Sequence, residues 1–421
     1  MADRLIIFED GEYLNFYPLT LSRPTFELRC GVWTLWERIA RSFPGYQVSF
    51  ACREELAPIV RTRSGLAVNQ IDYLPGDRLV FVNGRLRLGE KLAGELKTSD
   101  ANRVFLHGQA TAACVIAESL KSTPSDAIRF VGEGVASALG AMADMVDGEF
   151  EFFNYLWDLV NRNGDQIGLD YQSIHQGGES GRMAGRARID PSARILSQDN
   201  FHIAPDAEIG PGAVIDNRHG PVVIDSRAVI GPLSYIQGPC AVGADTQILR
   251  GNIREGCSFG PCCRVGGEVE ESIFQGYTNK YHDGFMGHAY LGSWVNLGAM
   301  TTNSDLKNNY RDIAVSVRGR MVDTASTKVG SFIGDHSKTG IGTLINTGVS
   351  IGFSCNIFGG TLVTSREVPS FSWGDERGYE VYKPEKALEV ARTVMARRGV
   401  ELTNHDERLF ASIFEQTAAE R

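Results

Sequence analysis

A chain of 421 residues exceeds what one ordinary hydrophobic core organises, so at least two folded units are expected. The 43% hydrophobic and 22% charged content is that of a globular protein, and a net charge of -9 argues against a nucleic-acid backbone as the main partner. Small anions remain open, because a local cluster of Arg and Lys can hold phosphate on an acidic protein.

In chain order, residues 1–8 place an acidic residue ahead of a short apolar run, which is not a signal-peptide layout. Nothing approaches 18 consecutive apolar residues, so no membrane span and a cytoplasmic location are expected. Residues 5–8 read as a buried strand, 31–43 as a helix, 47–51 as a strand and 79–82 as another. Strands alternating with helices predict an α/β layer domain with a parallel sheet over residues 1–180. The run Gly177-Gly178-Glu179-Ser180-Gly181 reads as a linker. The eight cysteines include the pair Cys262-Cys263 but no Cys-x-x-Cys spacing, which suits small buried residues better than disulfides or zinc.

Behind the linker, large apolar residues recur at every sixth position. Ile189 and Ile195 begin the series, Ile203, Ile209 and Ile215 continue it, and Ile224 to Ile248 and Ile253 to Val265 extend it. It resumes with Phe285, Leu291 and Leu297 and closes with Ile333 to Val363. Neither a helix nor an alternating strand has period six. A solenoid of short parallel strands does, with three hexads to a triangular coil and coils stacked at the strand spacing. The spacing therefore predicts a left-handed parallel β-helix over residues 185–375, about ten coils long by that spacing. Residues 376–421 carry two helical patterns, 383–398 and 406–416, read as a cap over the open end.

Two stretches break the repeat, residues 275–286 and 301–328. Breaks in a solenoid are where ligand sites form. In them or just beside them lie His282 and His288, Lys280 and Lys307, and several Asn and Tyr. A site for a phosphorylated sugar needs such residues: Lys or Arg for phosphate, Asn and Tyr for hydroxyls, and a histidine as base.

The motifs Gly287-His288-Ala289-Tyr290-Leu291-Gly292, Val295-Asn296-Leu297-Gly298-Ala299, Asn303-Ser304-Asp305-Leu306-Lys307-Asn308-Asn309-Tyr310 and Phe332-Ile333-Gly334-Asp335-His336-Ser337-Lys338-Thr339-Gly340 carry a resemblance. The chain resembles the bifunctional UDP-N-acetylglucosamine pyrophosphorylase/glucosamine-1-phosphate N-acetyltransferase family, in a variant with a divergent N-terminal nucleotidyltransferase-like domain. That resemblance implies homotrimers, with acetyl-CoA as cosubstrate lying along the solenoid at a subunit junction. It places His288 on the base, with His282 in the same break as its rival, and Tyr290, Asn296 and Asn303 in the acceptor site. Arg264 and Lys280 match the phosphate cations, and Lys307 joins His288 and Asn296 as a polar cluster. Ala299 and Gly359 fall where the family's backbone meets the coenzyme, and Asp335 stands at a further coenzyme position where the family has a serine.

The front domain lacks the family's Gly-rich loop, and Arg23 and Arg29 are the stand-ins for nucleotide-binding cations. Where the family has a metal-binding aspartate this chain has Asn83-Gly84-Arg85, leaving Asp10 and Asp158 as substitutes. Mg²⁺ is expected there only from phosphoryl chemistry in general. The leading expectation is acetyl transfer to glucosamine 1-phosphate followed by uridylyl transfer. The alternatives are a single-activity acyltransferase whose front domain only binds a nucleotide sugar, and a non-catalytic regulatory subunit.

Overall fold

The computed structural model describes residues 3–70, 76–117, 143–176 and 186–421. It divides into two compact units. The first comprises residues 1–16, 22–28 and 33–154; the second comprises 17–21, 29–32 and 155–421.

In the first unit seven strands form one sheet, in the spatial order Ala67–Val68, Gln47–Ala51, Asp3–Phe8, Arg78–Asn83, Ala110–Ile116, Arg103–His107, Asp144–Asp147. The first four run parallel, as expected. One strand is reversed: Ala110–Ile116 pairs antiparallel with both of its neighbours, while Arg103–His107 and Asp144–Asp147 run parallel to each other, so the sheet is mixed. Gly108, at a positive φ, turns the hairpin that causes this. Ile6, Phe8, Leu79, Phe81 and Val104 pack one buried layer of it. The first helix is Leu35–Arg41, shorter than predicted, because Thr34 and Glu37 close a capping box that starts it there.

The second unit is a parallel β-helix. Three stacks of short strands run its length. The first spans Arg188–Ile189 to Ser372–Asp375, the second Arg194–Ile195 to Leu362–Val363, and the third Phe201–Ile203 to Glu367–Val368. The first stack has ten parallel rungs, matching the coil count read from the repeat. Hexad residues such as Ile209, Ile230, Ile248 and Ile357 point inward and are fully buried, each worth about 1.5–3 kcal/mol of transfer free energy. The corners turn on residues at positive φ, many of them not glycine: Asp245, Cys262, Tyr277, Trp294 and His336 follow one another up the corner between the third and first stacks. Side chains tolerate the left-handed region there because each corner N–H is satisfied by the coil below, as in Cys262 N–H to the Ala244 carbonyl at 2.9 Å and His336 N–H to that of Ser293 at 2.9 Å.

Four expectations about this unit change. Residues 275–286 are not a break: Asn279–Lys280 is a wall strand paired with Arg264–Val265, and Lys280 takes the inward position. Met286, not Phe285, then faces the core, since the coil there is shortened. The true excursion begins after Asn303 and carries the antiparallel hairpin Ala314–Val317/Arg320–Asp323. The tail helices Pro384–Ala396 and Asn404–Gln416 do not cap the open end. Phe410 packs on the corner residues His336, Phe353 and Phe371, and Arg398 reaches back to Asn279, so the tail runs along the side of several coils. The linker glycines 177–181 lie outside the described residues. The helices Leu156–Asn161 and Asn163–Gln176, placed by the sequence in the front domain, belong to the second unit: Asn163 donates to the Gly256 carbonyl at 2.8 Å, and Trp157 meets Phe332.

Candidate functional site

His288 occupies the corner between the second and third stacks, 4% exposed and at positive φ. Its Nδ1 lies 2.8 Å from Asp305 Oδ2 and its Nε2 3.1 Å from Glu271 Oε2. Glu271 sits at the same corner one coil below, and Asp305 is the second residue after the strand Thr302–Asn303. Burial alone would lower the imidazole's pKa, but the hydrogen bonds to both carboxylates outweigh it and raise it to about 9. The bond from His288 lowers Glu271 in turn. Beside this group Glu270 accepts from Arg254 at 2.7 Å and from Lys328 at 3.1 Å. Asn303 completes the corner from inside: its Oδ1 accepts the Gly287 N–H at 2.9 Å and its Nδ2 donates to the Gly287 carbonyl at 2.9 Å. Its amide thus replaces a rung of the second stack, and it is buried wall rather than an acceptor-site residue.

A groove of about 710 Å³ runs along the first stack. It brings together the predicted residues Arg264, His282, Asn296 and Ala299, and adds Lys338, Arg397 and Arg398. His282 is exposed here, whereas His288 is not on this groove. In a triangular coil the corner between the second and third stacks faces away from the first stack. His288 and Asn296 therefore do not meet within one chain, contrary to the expected His288–Asn296–Lys307 cluster. Lys307 is on the excursion and donates to the Asp312 carbonyl at 2.8 Å.

Other expectations are corrected by burial. The Lys280 side chain lies inside the prism, 2% exposed, with Nζ donating to the carbonyls of Gly266 at 2.8 Å and His282 at 3.0 Å. Burial pushes its pKa down to about 8, and no phosphate reaches it. Lys280→Met is expected to cost about 1–2 kcal/mol in a denaturant titration, for two hydrogen bonds removed, without the rise in sugar-phosphate KM that loss of a phosphate ligand brings. The Tyr290 hydroxyl is engaged by Gln275 Oε1 at 2.7 Å and the Arg29 N–H at 2.7 Å, so it fastens the residue 29–32 segment to the third face instead of meeting a sugar. Arg29 accordingly belongs to the β-helix unit, with Nη1 donating to the Val32 carbonyl at 2.5 Å, and not to a nucleotide site in the first unit. Asp335 is buried and accepts the Ser293 N–H at 2.8 Å, a corner bond. Gly359 turns an exposed corner near the carboxylate of Asp375.

In the first unit, Glu9 and Asp10 end the strand Asp3–Phe8, at the carboxyl ends of the parallel strands where open α/β sheets bind ligands. Both are neutralised by the protein. Arg53 Nε reaches Glu9 at 2.9 Å, and Asp10 takes Arg85 Nε at 2.7 Å and Asn83 Nδ2 at 2.8 Å. Arg23 is buried in the same region, its carbonyl accepting from Arg53 at 3.1 Å. Asp158 caps its helix through the Tyr155 N–H at 3.0 Å. A guanidinium already fills the place a cation would take at Asp10, and among the described residues no group of three or more His, Cys, Asp or Glu is arranged to hold a metal ion, so this donor set does not fit Mg²⁺. Nor is any helix among them long and apolar enough to cross a membrane.

Residues 5–179 match the sugar nucleotidyl transferase family. That nucleotidyl transferase match thus covers the first unit and reaches into the helices packed on the β-helix. Among curated relatives, a bifunctional sugar-1-phosphate nucleotidylyltransferase/acetyltransferase of Sulfurisphaera tokodaii is 33% identical over 96 residues, 23% of this chain and 24% of the relative. A bifunctional protein GlmU of Nostoc sp. is 29% identical over 226 residues, 49% of this chain and 45% of the relative. The chain therefore spans less than half the length of the curated relatives it matches. A UDP-N-acetylglucosamine acyltransferase structure from Campylobacter jejuni aligns at 15% identity and a TM-score of 0.26, covering 54% of this chain and 96% of that one.

Sequence reasoning missed Glu271 and Asp305 as partners of His288. The available signal was the coil period: each stands 17 positions from His288. It also missed Arg397, Arg398 and Lys338, for which nothing in the hexad pattern marks a face.

Proposed function

We propose that the protein transfers the acetyl group of acetyl-CoA to the amine of glucosamine 1-phosphate, within amino-sugar nucleotide synthesis. The observation that carries this reading is the His288 imidazole held between Asp305 and Glu271 on an acyltransferase-like β-helix. Asp305 fixes the proton on Nδ1, so that Nε2 is the atom able to accept one. Glu271, half-exposed beside Nε2, suits the ammonium of an incoming amino sugar. The ammonium loses one proton to solvent. The amine nitrogen then attacks the thioester carbon, its second proton passes to His288, and the C–S bond breaks to release a thiolate. That thiolate takes the proton from His288 and leaves as the thiol.

His288 and the Arg264–Asn296 groove face different ways on one prism, which supports a site shared between copies of the chain, in keeping with a homotrimer. A mixing experiment tests this. His288→Ala and Asn296→Ala chains, each inactive alone in a thiol-release assay with acetyl-CoA and glucosamine 1-phosphate, should regain activity when co-assembled. No recovery from folded, co-assembled chains would reject the shared site.

A second reading, in which the front domain binds a nucleotide sugar without uridylyl transfer, is favoured by one observation: the Asp10 carboxylate is already committed to Arg85 and Asn83. Pyrophosphate release from UTP and a sugar 1-phosphate would reject it. His282, exposed on the groove, is the alternative base.

A further inference from the structure

A cavity of about 450 Å³ lies beside the last rungs of the third stack, and no residue assigned above to acyl transfer lines it. Its walls are those rungs, the excursion hairpin, Tyr17–Leu21 and the C-terminal turn Ala418–Glu420, all within the second unit. Pro18, Leu21, Val317 and Val368 make much of the lining apolar. Three charged residues share it: Arg318, Glu367 and Glu420. Arg318 and Gly319 form the two-residue turn of the hairpin, both at positive φ, 52° and 76°. Such turns favour Asn or Gly where this chain has arginine, so a long cation is held there at a backbone cost. The Glu367 carboxylate fixes the turn by accepting the Gly319 N–H at 3.0 Å. The Arg318 guanidinium lies over the Tyr17 ring, 5.3 Å from its centre, and makes no hydrogen bond or ion pair among the described residues. The Glu420 carboxylate makes none either. Burial, and then the nearby Glu367, raises the pKa of its carboxyl. Arg421, next in the chain, is turned to its own helix: it donates to the Phe414 carbonyl at 2.7 Å and lies over that residue's ring.

We infer that this cavity is a binding site for a small zwitterion, its anionic group on Arg318 and its ammonium on Glu420 and Glu367. Arg318 and Glu420 line one space yet do not pair with each other, so a ligand carrying both signs satisfies both at once. A simple anion would be repelled by the two carboxylates, and a simple cation by Arg318. A guanidinium stacked on a ring keeps its fork open to carboxylate or phosphate oxygens. The apolar lining suits the carbon body of the ligand. Free α-amino acids and amino-sugar phosphates share this chemistry, and the volume admits either. Occupancy ties the hairpin to the C-terminal turn, and the hairpin belongs to the excursion that carries Asp305. Binding here does not require that the chain transfer acetyl groups.

The test is calorimetric titration of the full-length protein with L-leucine and glucosamine 6-phosphate, each beside its N-acetyl derivative. Wild type should bind at least one of the two zwitterions. The matching N-acetyl compound, which has lost the ammonium, should bind about tenfold more weakly or worse, the worth of one charge-assisted hydrogen bond. Arg318→Gln and Glu420→Gln, both at exposed positions, should each weaken the zwitterion by about the same tenfold factor. The bound zwitterion should raise the melting temperature of wild type, and the same concentration should raise that of either variant less. Leucine binding assigns the site to amino acids, glucosamine 6-phosphate binding assigns it to amino-sugar phosphates, and binding of both makes the paired charges the only determinant. No binding of either zwitterion, equal affinity after N-acetylation, or unchanged affinity in either folded variant overturns the inference.

Discussion

Replacing His288 by alanine is expected to reduce acetyl transfer by about 10² to 10⁴, the usual contribution of a positioned general base. The pH dependence separates a base from a merely structural imidazole. With a pKa of about 9, His288 is mostly imidazolium at neutral pH, so the rate should climb as pH rises toward 9 and then level off. Stability should move the other way. The folded pKa lies above the unfolded value of about 6.5, so the cluster's contribution is complete below that and is lost as pH rises through about 9. His288→Ala should flatten both profiles, and it should also lower the melting temperature, because Asp305 and Glu271 are left without their shared cation. A variant with an unaltered rate-pH profile would remove His288 from the reaction and leave His282 as the base.

Gly330→Ala is expected to be the most damaging added methyl among the described glycines. A Cβ at Gly330 would lie 1.9 Å from the Gly287 carbonyl oxygen and 2.5 Å from Asn303 Nδ2. Both groups are tied to the His288 corner, and the Gly330 N–H itself donates to the His288 carbonyl at 3.0 Å. Backbone cannot yield as a side chain does, so a loss of about 3 kcal/mol or more is expected in a denaturant titration, at the upper end for overpacking. Activity of whatever folds should fall too, since relief requires moving the corner that carries the imidazole.

The solenoid was legible because its period belongs to no other regular structure, and inward Ile residues state it plainly. It was hidden where the inward position is polar. Lys280 and Asn303 look like site residues in sequence because a core should not contain them. Only the structure shows the carbonyls of Gly266 and His282 waiting for one, and the Gly287 peptide for the other. His288 stood out as a candidate, but its carboxylate partners are one coil away on either side, a relation that needs the coil length at that point. In the front domain the parallel half of the sheet followed from apolar strands alternating with helices. The reversal of Ala110–Ile116 did not, because it is joined to Arg103–His107 by a tight turn with no helix between them.

Asp305 reaches the imidazole on an outgrowth, residues 304–328, and not on a rung of the wall. The scaffold and the group that sets the tautomer of His288 are thus separately editable. Trimming or lengthening that outgrowth could retune or silence the imidazole while the prism beneath it stays whole, so chains with equally regular walls need not share a chemistry.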